Sequence, residues 1–347
     1  MLFKSKVKGY LLDQGEHVSH LARISSFEAP IVLEALVEFT STNPDESKIA
    51  LVKVAAGKRA PFLHANCGIA PESRFLRRAS LDLKKIKDPG YFSELVSSQF
   101  RIDPEQHAIA TLNAFSGTEF DPAKANPEKE IIFCGLSNEA AASAQQGLLK
   151  SGVFPESLEL SSVAAVAAVI DYLRFSDSAK PTLILELGNE STQSYIVSPR
   201  GLEASRPIAV GLEAMVPVVQ KELGLKDEDS ARKLFFSNTF DFTGMGASLC
   251  KRLLKELHSS MGFYEVQTGQ SIGQLICVVL PVKLAWLEQV IASQLGVQVL
   301  EPKIIEWLNA RQITLGRDIP LSQLDARKLA LFGLIMKFPG HNDDTAA

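Results

Sequence analysis

The sequence contains only four cysteines, and no two of them are close enough to form a CxxC pair. They stand far apart along the chain, at Cys67, Cys134, Cys250 and Cys277. Closely spaced cysteine pairs are typical of zinc sites and redox motifs, and dense cysteine patterns are typical of small disulfide-bonded proteins. This distribution therefore predicts buried thiols in a reducing compartment, where cysteine packs as a small apolar side chain.

An excess of positive charge is also missing. The chain has 36 lysines and arginines against 40 aspartates and glutamates, which gives a net charge of −4. A surface that binds nucleic acid neutralises phosphates and usually carries a basic excess. We therefore expect no nucleic-acid partner.

No apolar run is long enough to span a bilayer. The longest are Val163–Ile170 and Ile276–Leu287, and the second contains Pro281 and Lys283. A spanning helix needs about 20 apolar residues. The amino end, MLFKSKVKGY, has lysines but no apolar core of signal-peptide length. These features predict a cytoplasmic protein without membrane insertion, so that any role at the membrane depends on a partner.

What the sequence does contain is an alternation of strand and helix patterns, which indicates an α/β protein long enough for two domains. Ser137 and Gly152 bracket a predicted helix over residues 140–151, as an N-cap serine and a terminating glycine. A second helix is predicted over 248–261 from its apolar stripe. We predict strands at Ile49–Val54 and Phe62–Ile69.

One stretch, Leu183–Gly211, predicts a hairpin with an acid close to a glycine. Glu186 follows an apolar run and precedes Gly188 by two residues. The same arrangement of apolar run, acid and glycine occurs at residues 8–15, which suggests two related lobes. Glycine lets backbone N–H groups approach a phosphate, and an acid beside it can hold a metal through water. The alternative is an ordinary hairpin with a solvated acid.

The order of these elements resembles the actin-like fold and, more closely, the type IV pilus assembly protein PilM family. Four stretches carry the resemblance: Gly9–Gly15, Cys134–Val169, Leu183–Leu234 and Leu329–Lys337. It implies a two-lobed actin-like (ribonuclease H-like repeated) fold. The first lobe would take residues 1–179 with an inserted subdomain at about 79–157, and the second lobe 180–324. Residues 325–347 would form a closing helix on the first lobe and a disordered tail.

The resemblance also implies a nucleotide site. Actin-like ATPases hold magnesium between one acid from each phosphate loop, which here assigns Asp13 and Glu186 to Mg²⁺ through water. The nucleotide-binding residues, if the site is retained, are Asp13, Gly15, Glu186, Gly188, Thr192 and Gly211.

All three loops depart from the family pattern. Residues 14–17, QGEH, replace the small and hydroxyl residues of the first loop, and Glu190 adds negative charge to the second. A carboxylate near a polyphosphate is repulsive. The third loop should be a Gly-Gly turn, but here it reads Leu280-Pro281-Val282, which cannot give the same open backbone.

These departures favour a scaffold over an enzyme. We predict a cytoplasmic protein of a type IV pilus or type II secretion-like assembly, peripheral at the inner membrane. It would bind the cytoplasmic tail of a PilN-like inner-membrane partner in a groove between the first lobe and its insert. No hydrolysis and no cofactor are expected, and self-assembly is a further expectation. The alternative is an actin-like ATPase that binds ATP and Mg²⁺ and drives pilus assembly.

Two further patterns have competing interpretations. His17 and His20 are three residues apart and could bind a metal, but no third ligand stands at a recognisable spacing, so we predict surface histidines. Basic residues cluster between Arg74 and Lys87, either as a solvated face or as a patch for an anion, a membrane surface or an acidic partner. Ser161, Ser162, Cys67 and Cys250 carry no sequence signature of an activated nucleophile, such as GxSxG.

Overall fold

The structure is a computed structural model that describes residues 9–41, 43–55, 61–124, 126–237 and 239–336. Predictions that concern residue 8, Lys337 and the tail at 340–347 lie outside these ranges. The chain forms two compact units. The first takes the residues up to Ser176 and those from Lys303 onward, and the second is Asp177–Pro302.

Strands and helices alternate along the chain, as the sequence pattern predicts. The strands are β1 (Gly9–Gln14), β2 (Val18–Ile24), β3 (Ile31–Thr40), β4 (Leu63–Ile69), β5 (Phe75–Ser80), β6 (His107–Asn113), β7 (Glu130–Ser137), β8 (Val153–Leu160), β9 (Thr182–Leu187), β10 (Thr192–Ser198), β11 (Gly201–Ile208), β12 (Gln274–Cys277), β13 (Gln298–Val299) and β14 (Ile313–Leu315). The helices are α1 (Pro44–Ala55), α2 (Tyr91–Leu95, continued by a π-turn to Phe100), α3 (Asn138–Lys150), α4 (Ser161–Phe175), α5 (Val216–Leu223), α6 (Glu228–Ser237), α7 (Gly246–Thr268), α8 (Trp286–Leu295), α9 (Ile304–Ala310) and α10 (Leu329–Met336).

The main sheet of the first unit has the strand order β14-β3-β2-β1-β4-β8. Strands β1, β2 and β3 form an antiparallel meander, and β4 and β8 continue the sheet in parallel. Helices α1 and α3 cover one face, where Ala50, Val54 and Leu148 join the apolar core around Leu12 and Cys67. Helices α4 and α10 pack together and contact β4. Alternating side chains of one sheet thus supply two core layers.

An inserted three-stranded sheet, β5-β7-β6, has its own apolar core under α2. Phe75, Leu95 and Phe133 belong to this core. The separate sheet runs from residue 75 to residue 137, whereas the sequence-based range for the insert is about 79–157. Helix α3 and the first part of strand β8 fall inside that range but pack with the main sheet, because β8 pairs with β4 throughout its length.

The second unit contains a sheet of order β11-β10-β9-β12-β13. Its first three strands are an antiparallel meander, and β12 lies parallel to β9. The first unit's sheet has the same internal order, β3-β2-β1-β4-β8, before β14 is added. The sequence echo between residues 8–15 and Leu183–Gly188 therefore marks a repeated topology.

The boundary after the second unit corrects the sequence-based division at 324. The chain returns to the first unit at Lys303. Strand β14 pairs with β3, and Trp307 of α9 donates a hydrogen bond to Asp171 of α4 at 2.8 Å. Pairing between strands so far apart in sequence leaves no local pattern to detect.

Local predictions were mostly confirmed, with one clear error. Ile49–Val54, predicted as a strand, lies within helix α1. Phe62–Ile69 was predicted as a strand, and β4 confirms this from Leu63 onward. The predicted N-cap is also confirmed, because the Ser137 side chain accepts a hydrogen bond from the Ala140 N–H at the start of α3. All four cysteines are free and buried, as predicted, and burial raises the pKa of three of their thiols to about 12, at Cys67, Cys134 and Cys250.

Candidate functional site

Asp13, the acid of the first predicted phosphate loop, lies near the end of β1 and is only 6% exposed. Its Oδ1 accepts a hydrogen bond from the Ser161 hydroxyl at 2.6 Å. Its Oδ2 lies 3.6 Å from Nδ1 of His20, the residue directly opposite on β2. Both oxygens of this carboxylate therefore face groups of the protein's own chain.

His20 begins a row of charged side chains that crosses the sheet. It is 4% exposed, and its Nε2 lies 3.5 Å from Oε2 of Glu38, its partner on β3. Glu38 accepts a hydrogen bond from Nζ of Lys328 at 2.7 Å. Lys328 is 1% exposed and also approaches Asp325 at 3.3 Å. We name Asp13, His20, Glu38 and Lys328 the charged row.

The position of His20 contradicts its prediction as a surface histidine. Strand β2 lies between β1 and β3, so a side chain at the middle of β2 is covered on both flanks. Burial alone would lower the pKa of His20, but the carboxylates of Asp13 and Glu38 outweigh it and raise that pKa. Within the described ranges, no three histidine, cysteine or acidic side chains come together in a way that could hold a metal ion.

Gly15 forms a tight turn between β1 and β2. A Cβ atom at this position would lie 2.4 Å from the carbonyl oxygen of Val18, so the close approach of the two strands requires glycine. The turn thus explains this glycine without a bound phosphate.

The second predicted loop brings four of the candidate residues together within the second unit. Glu186 on β9 is 2% exposed and accepts a hydrogen bond from the Tyr195 hydroxyl at 3.2 Å. The Thr192 hydroxyl is fully buried and donates to the carbonyl of Val210 at 2.7 Å. These contacts fix the side chains inside the sheet.

The two glycines of this loop, Gly188 and Gly211, lie in close backbone contact. A Cβ at Gly211 would lie 2.6 Å from the carbonyl oxygen of Gly188 and 2.1 Å from that of Asn189. The Gly188 carbonyl accepts the N–H of Leu212, and the Gly188 N–H donates to Ser191, both at 3.0 Å. Asp13 and Gly15 belong to the first unit, and Glu186, Gly188, Thr192 and Gly211 to the second.

The third loop follows β12 and is closed by its own backbone. Leu280 is buried, and the carbonyl of Pro281 accepts the N–H of Leu284 in a 3₁₀ turn that leads into α8. The Val278 N–H donates to Leu185 of β9. No glycine supplies an open turn here.

These contacts bear on whether the residues fit magnesium and a nucleotide. A magnesium ion needs oxygen ligands that it can reach in octahedral geometry, usually with several waters. The carboxylates of Asp13 and Glu186 are almost completely buried and face donors of the protein, and the Thr192 hydroxyl is used by the sheet. These oxygens are engaged within the chain, so the residues present do not fit a magnesium ion with its nucleotide.

Comparison with known proteins supports the fold. No family model matches the sequence, and no curated protein does. Among solved structures, the chain is similar to one described as "PilM-PilN type IV pilus biogenesis complex", with a TM-score of 0.69, 16% identity and coverage of 96% of this chain and 98% of that chain. This chain has the two-lobed actin-like fold. The predicted fold class is thereby confirmed.

Two other solved structures are similar to this chain at lower TM-scores. One is a Bacteroides thetaiotaomicron protein described as having an actin-like ATPase fold, with a TM-score of 0.46, 10% identity and coverage of 96% and 98%. The other is the cytoplasmic domain of EpsL, an inner-membrane component of the Vibrio cholerae type II secretion system, with a TM-score of 0.41, 9% identity and coverage of 95% and 95%.

The basic residues between Arg74 and Lys87 include arginines that have partners within the chain and lysines that are exposed. Arg74 donates to the Ser162 hydroxyl at 2.8 Å, and Arg78 forms an ion pair with Glu130 at 3.0 Å. The lysines of this stretch, Lys84, Lys85 and Lys87, are exposed.

Of the helices described, none is both long and apolar enough to cross a bilayer.

Sequence reasoning missed the charged row. Glu38 and Lys328 were not singled out, and they meet only because β3 and the start of α10 lie together in the first unit. The one local signal is that His20 and Glu38 stand among the apolar residues of β2 and β3, as Arg23 and Glu34 also do.

Proposed function

We propose that this chain is a PilM-like cytoplasmic scaffold of a type IV pilus or type II secretion-like assembly. It binds the cytoplasmic tail of an inner-membrane partner of the PilN kind and so sits at the membrane without entering it. The observation that carries the proposal is the fold match to a PilM-PilN complex over nearly the full length of both chains. A fold alone does not specify a function, so the site must agree with it.

The contacts in the predicted phosphate loops favour a scaffold that does not hydrolyse ATP. The carboxylate of Asp13 is hydrogen-bonded to Ser161, and the glycines at 15 and 211 are explained by close contacts within the chain. Pro281 stands where the family has an open glycine turn. In this proposal the actin-like fold is kept for its surfaces.

The test is binding of the partner's tail with and without nucleotide. The full chain is titrated by calorimetry with a synthetic peptide of the amino-terminal tail of the PilN-like protein from the same organism. We expect saturable micromolar binding that is the same in the presence and absence of ATP and magnesium.

A scrambled peptide of the same composition is the control. No saturable binding up to millimolar peptide would refute the tail-binding role. A tenfold change of affinity on addition of ATP and magnesium would refute the nucleotide-independent scaffold and favour the alternative, an actin-like ATPase that drives assembly.

A further inference from the structure

The inserted subdomain contains an apolar pocket that its own core does not fill. A cavity of about 430 Å³ lies between the helical segment Tyr91–Phe100 and the sheet β5-β7-β6. Its walls include Phe92, Val96, Ile109, Thr111, Phe120 and Phe133. Cavities of about 300–1,000 Å³ with mostly apolar walls are typical of binding sites. The space is therefore large enough for a bulky apolar group from outside.

The aromatic walls of the pocket are held in place by the core beneath them. The ring of Phe92 lies 5.9 Å from that of Phe120 and 6.1 Å from that of Phe133. Phe120 and Phe133 are buried, whereas Phe92 is only half-buried. The pocket is thus preformed and reaches the surface, which lowers the cost of ordering it on binding.

The pocket lies on one particular face of the inserted sheet. Along β7, Ile131 and Phe133 point into the core under α2, and alternate residues point to the opposite face. Leu136, on that opposite face, packs with the apolar core of the main sheet. The pocket therefore lies on the face of the inserted sheet opposite the one that packs on the main sheet.

Acidic residues surround the pocket in the sequence. Every charged residue directly next to a lining residue is an acid: Glu94, Asp103, Glu105, Glu119 and Asp121. All five are exposed. The nearest bases, Arg101 and Lys124, stand further along the chain. The lining residues thus have five exposed acids directly beside them in the sequence and no lysine or arginine in such a position, which favours a basic partner.

Two of these acids sit on ordered turns. Oδ1 of Asp103 accepts the N–H of Glu105 at 3.0 Å, and Oδ1 of Asp121 accepts the N–H of Ala123 at 2.8 Å. These turns carry Pro104 and Pro122, which line the pocket. The negative charges are therefore fixed close to the apolar walls.

We propose that this pocket docks a protein segment with one large apolar side chain flanked by lysines or arginines. The apolar side chain enters the cavity as the anchor, and the basic residues pair with the acidic rim, where they speed association and select the partner. This surface is distinct from the proposed tail-binding groove and does not depend on it.

The experiment uses three fluorescent peptides and the full chain, with binding followed by fluorescence anisotropy. The first peptide has one leucine flanked by two lysines on each side, the second replaces the leucine with glycine, and the third replaces the lysines with glutamates. We expect saturable binding of the first peptide, at least tenfold weaker binding of the other two, and loss of affinity as salt is raised.

Two variants locate the binding. Thr111→Trp fills the cavity and should weaken binding of the leucine-lysine peptide at least tenfold. The double variant Glu94→Lys, Glu105→Lys changes exposed side chains only and should weaken it to a similar extent and flatten its salt dependence. Val266→Asp, at a position in the second unit that is 88% exposed, is the matched control and should leave the affinity unchanged.

The proposal fails if the leucine-lysine peptide does not bind saturably, or if the glycine or glutamate peptide binds equally well. Glu94 and Glu105 are exposed, so the double charge variant should fold normally. The proposal also fails if this variant binds the peptide as tightly as the unchanged protein does. Titration of the partner's tail peptide against Thr111→Trp separates the two proposals, because we expect tail binding to persist when pocket binding is lost.

Discussion

At the scale of single residues, Lys328 lies at the end of the charged row and is almost completely buried. A lysine that is 1% exposed must be paired, and Glu38 and Asp325 supply the carboxylates. We expect Lys328→Met to lower the free energy of unfolding by about 2 kcal/mol, because it leaves Glu38 without its ammonium partner. Glu38 is 35% exposed at its side chain, so water offsets part of the loss. Urea denaturation measures the change.

A paired substitution tests that cause. Glu38→Gln removes the carboxylate that loses its nearest cation in Lys328→Met, while Arg327 remains 3.3 Å from Glu38. The double variant should therefore lose less stability than the two single losses added together. If the double variant instead shows the simple sum of both losses, Lys328 contributes through packing and not through its ion pair with Glu38.

The same glutamate predicts a dependence of stability on pH. Contacts with His20, Lys328 and Arg327 hold the pKa of Glu38 well below its ordinary value, against the opposing effect of burial. Unfolded Glu38 takes up a proton near pH 4.5, so its contribution is present above that pH and is lost as the pH falls further. Unfolding free energies between pH 7 and pH 3 should fall less steeply in Glu38→Gln. If the unfolding free energies of the unchanged protein and of Glu38→Gln fall in parallel with pH, Glu38 is not the source of this pH dependence.

The residues that the sequence could identify were those with a local pattern. Ser137 was recognised as an N-cap because it precedes a helix with an acid in its first turn. His20 could not be placed, because its burial depends on β2 lying between two strands that pair with it. The partners of Asp13 and Glu186 were also beyond the sequence, since Ser161 is 148 residues away from Asp13.

At the scale of elements, the contact between α4 and α10 depends on one glycine. A Cβ at Gly333 would lie 2.2 Å from the carbonyl oxygen of Ala164, so the two helices touch through their backbones. We expect Gly333→Ala to destabilise the protein by about 2 kcal/mol, since the helices must separate. Thermal or urea unfolding measures the difference.

Gly147 supplies the matched control. It lies inside helix α3, and a Cβ there would meet no atom within 4 Å. Gly147→Ala should therefore stabilise the protein by about 0.5–1 kcal/mol, because alanine favours the helix. If both glycine variants gain stability, α4 and α10 do not require the close approach described.

Helix α1 shows why one element was misassigned. Ile49, Val52 and Val54 are β-branched and favour a strand by composition. A helix start signal lies just before these three residues. The Asn43 side chain accepts the N–H of Asp45 at 3.1 Å, and Pro44 and two acids follow Asn43. Only Ala50 and Val54 are buried, which is helical spacing. Capping chemistry outweighed the composition of the segment.

The whole molecule is organised by one strand order used twice, and that is why the fold could be predicted at low sequence similarity. The two orders are β3-β2-β1-β4-β8 and β11-β10-β9-β12-β13. In each, the strand that comes first along the chain, β1 or β9, is apolar and ends near an acid and a glycine. The fold is shared with a solved neighbour at only 16% identity. The return of the chain to the first unit at Lys303 has no such pattern and was placed too late.

Because the fold is kept while the contacts of the phosphate loops are internal, we expect nucleotide to leave the stability of the molecule unchanged. A protein that bound Mg-ATP with a Kd of about 10 µM would gain about 2.7 kcal/mol at about 1 mM nucleotide, which raises the unfolding temperature measurably. Differential scanning fluorimetry and calorimetry with ATP and magnesium should show neither a shift nor heat, since Asp13 and Glu186 already face Ser161 and Tyr195. Micromolar binding would contradict this, and Asp13→Ala should then abolish it without unfolding the protein.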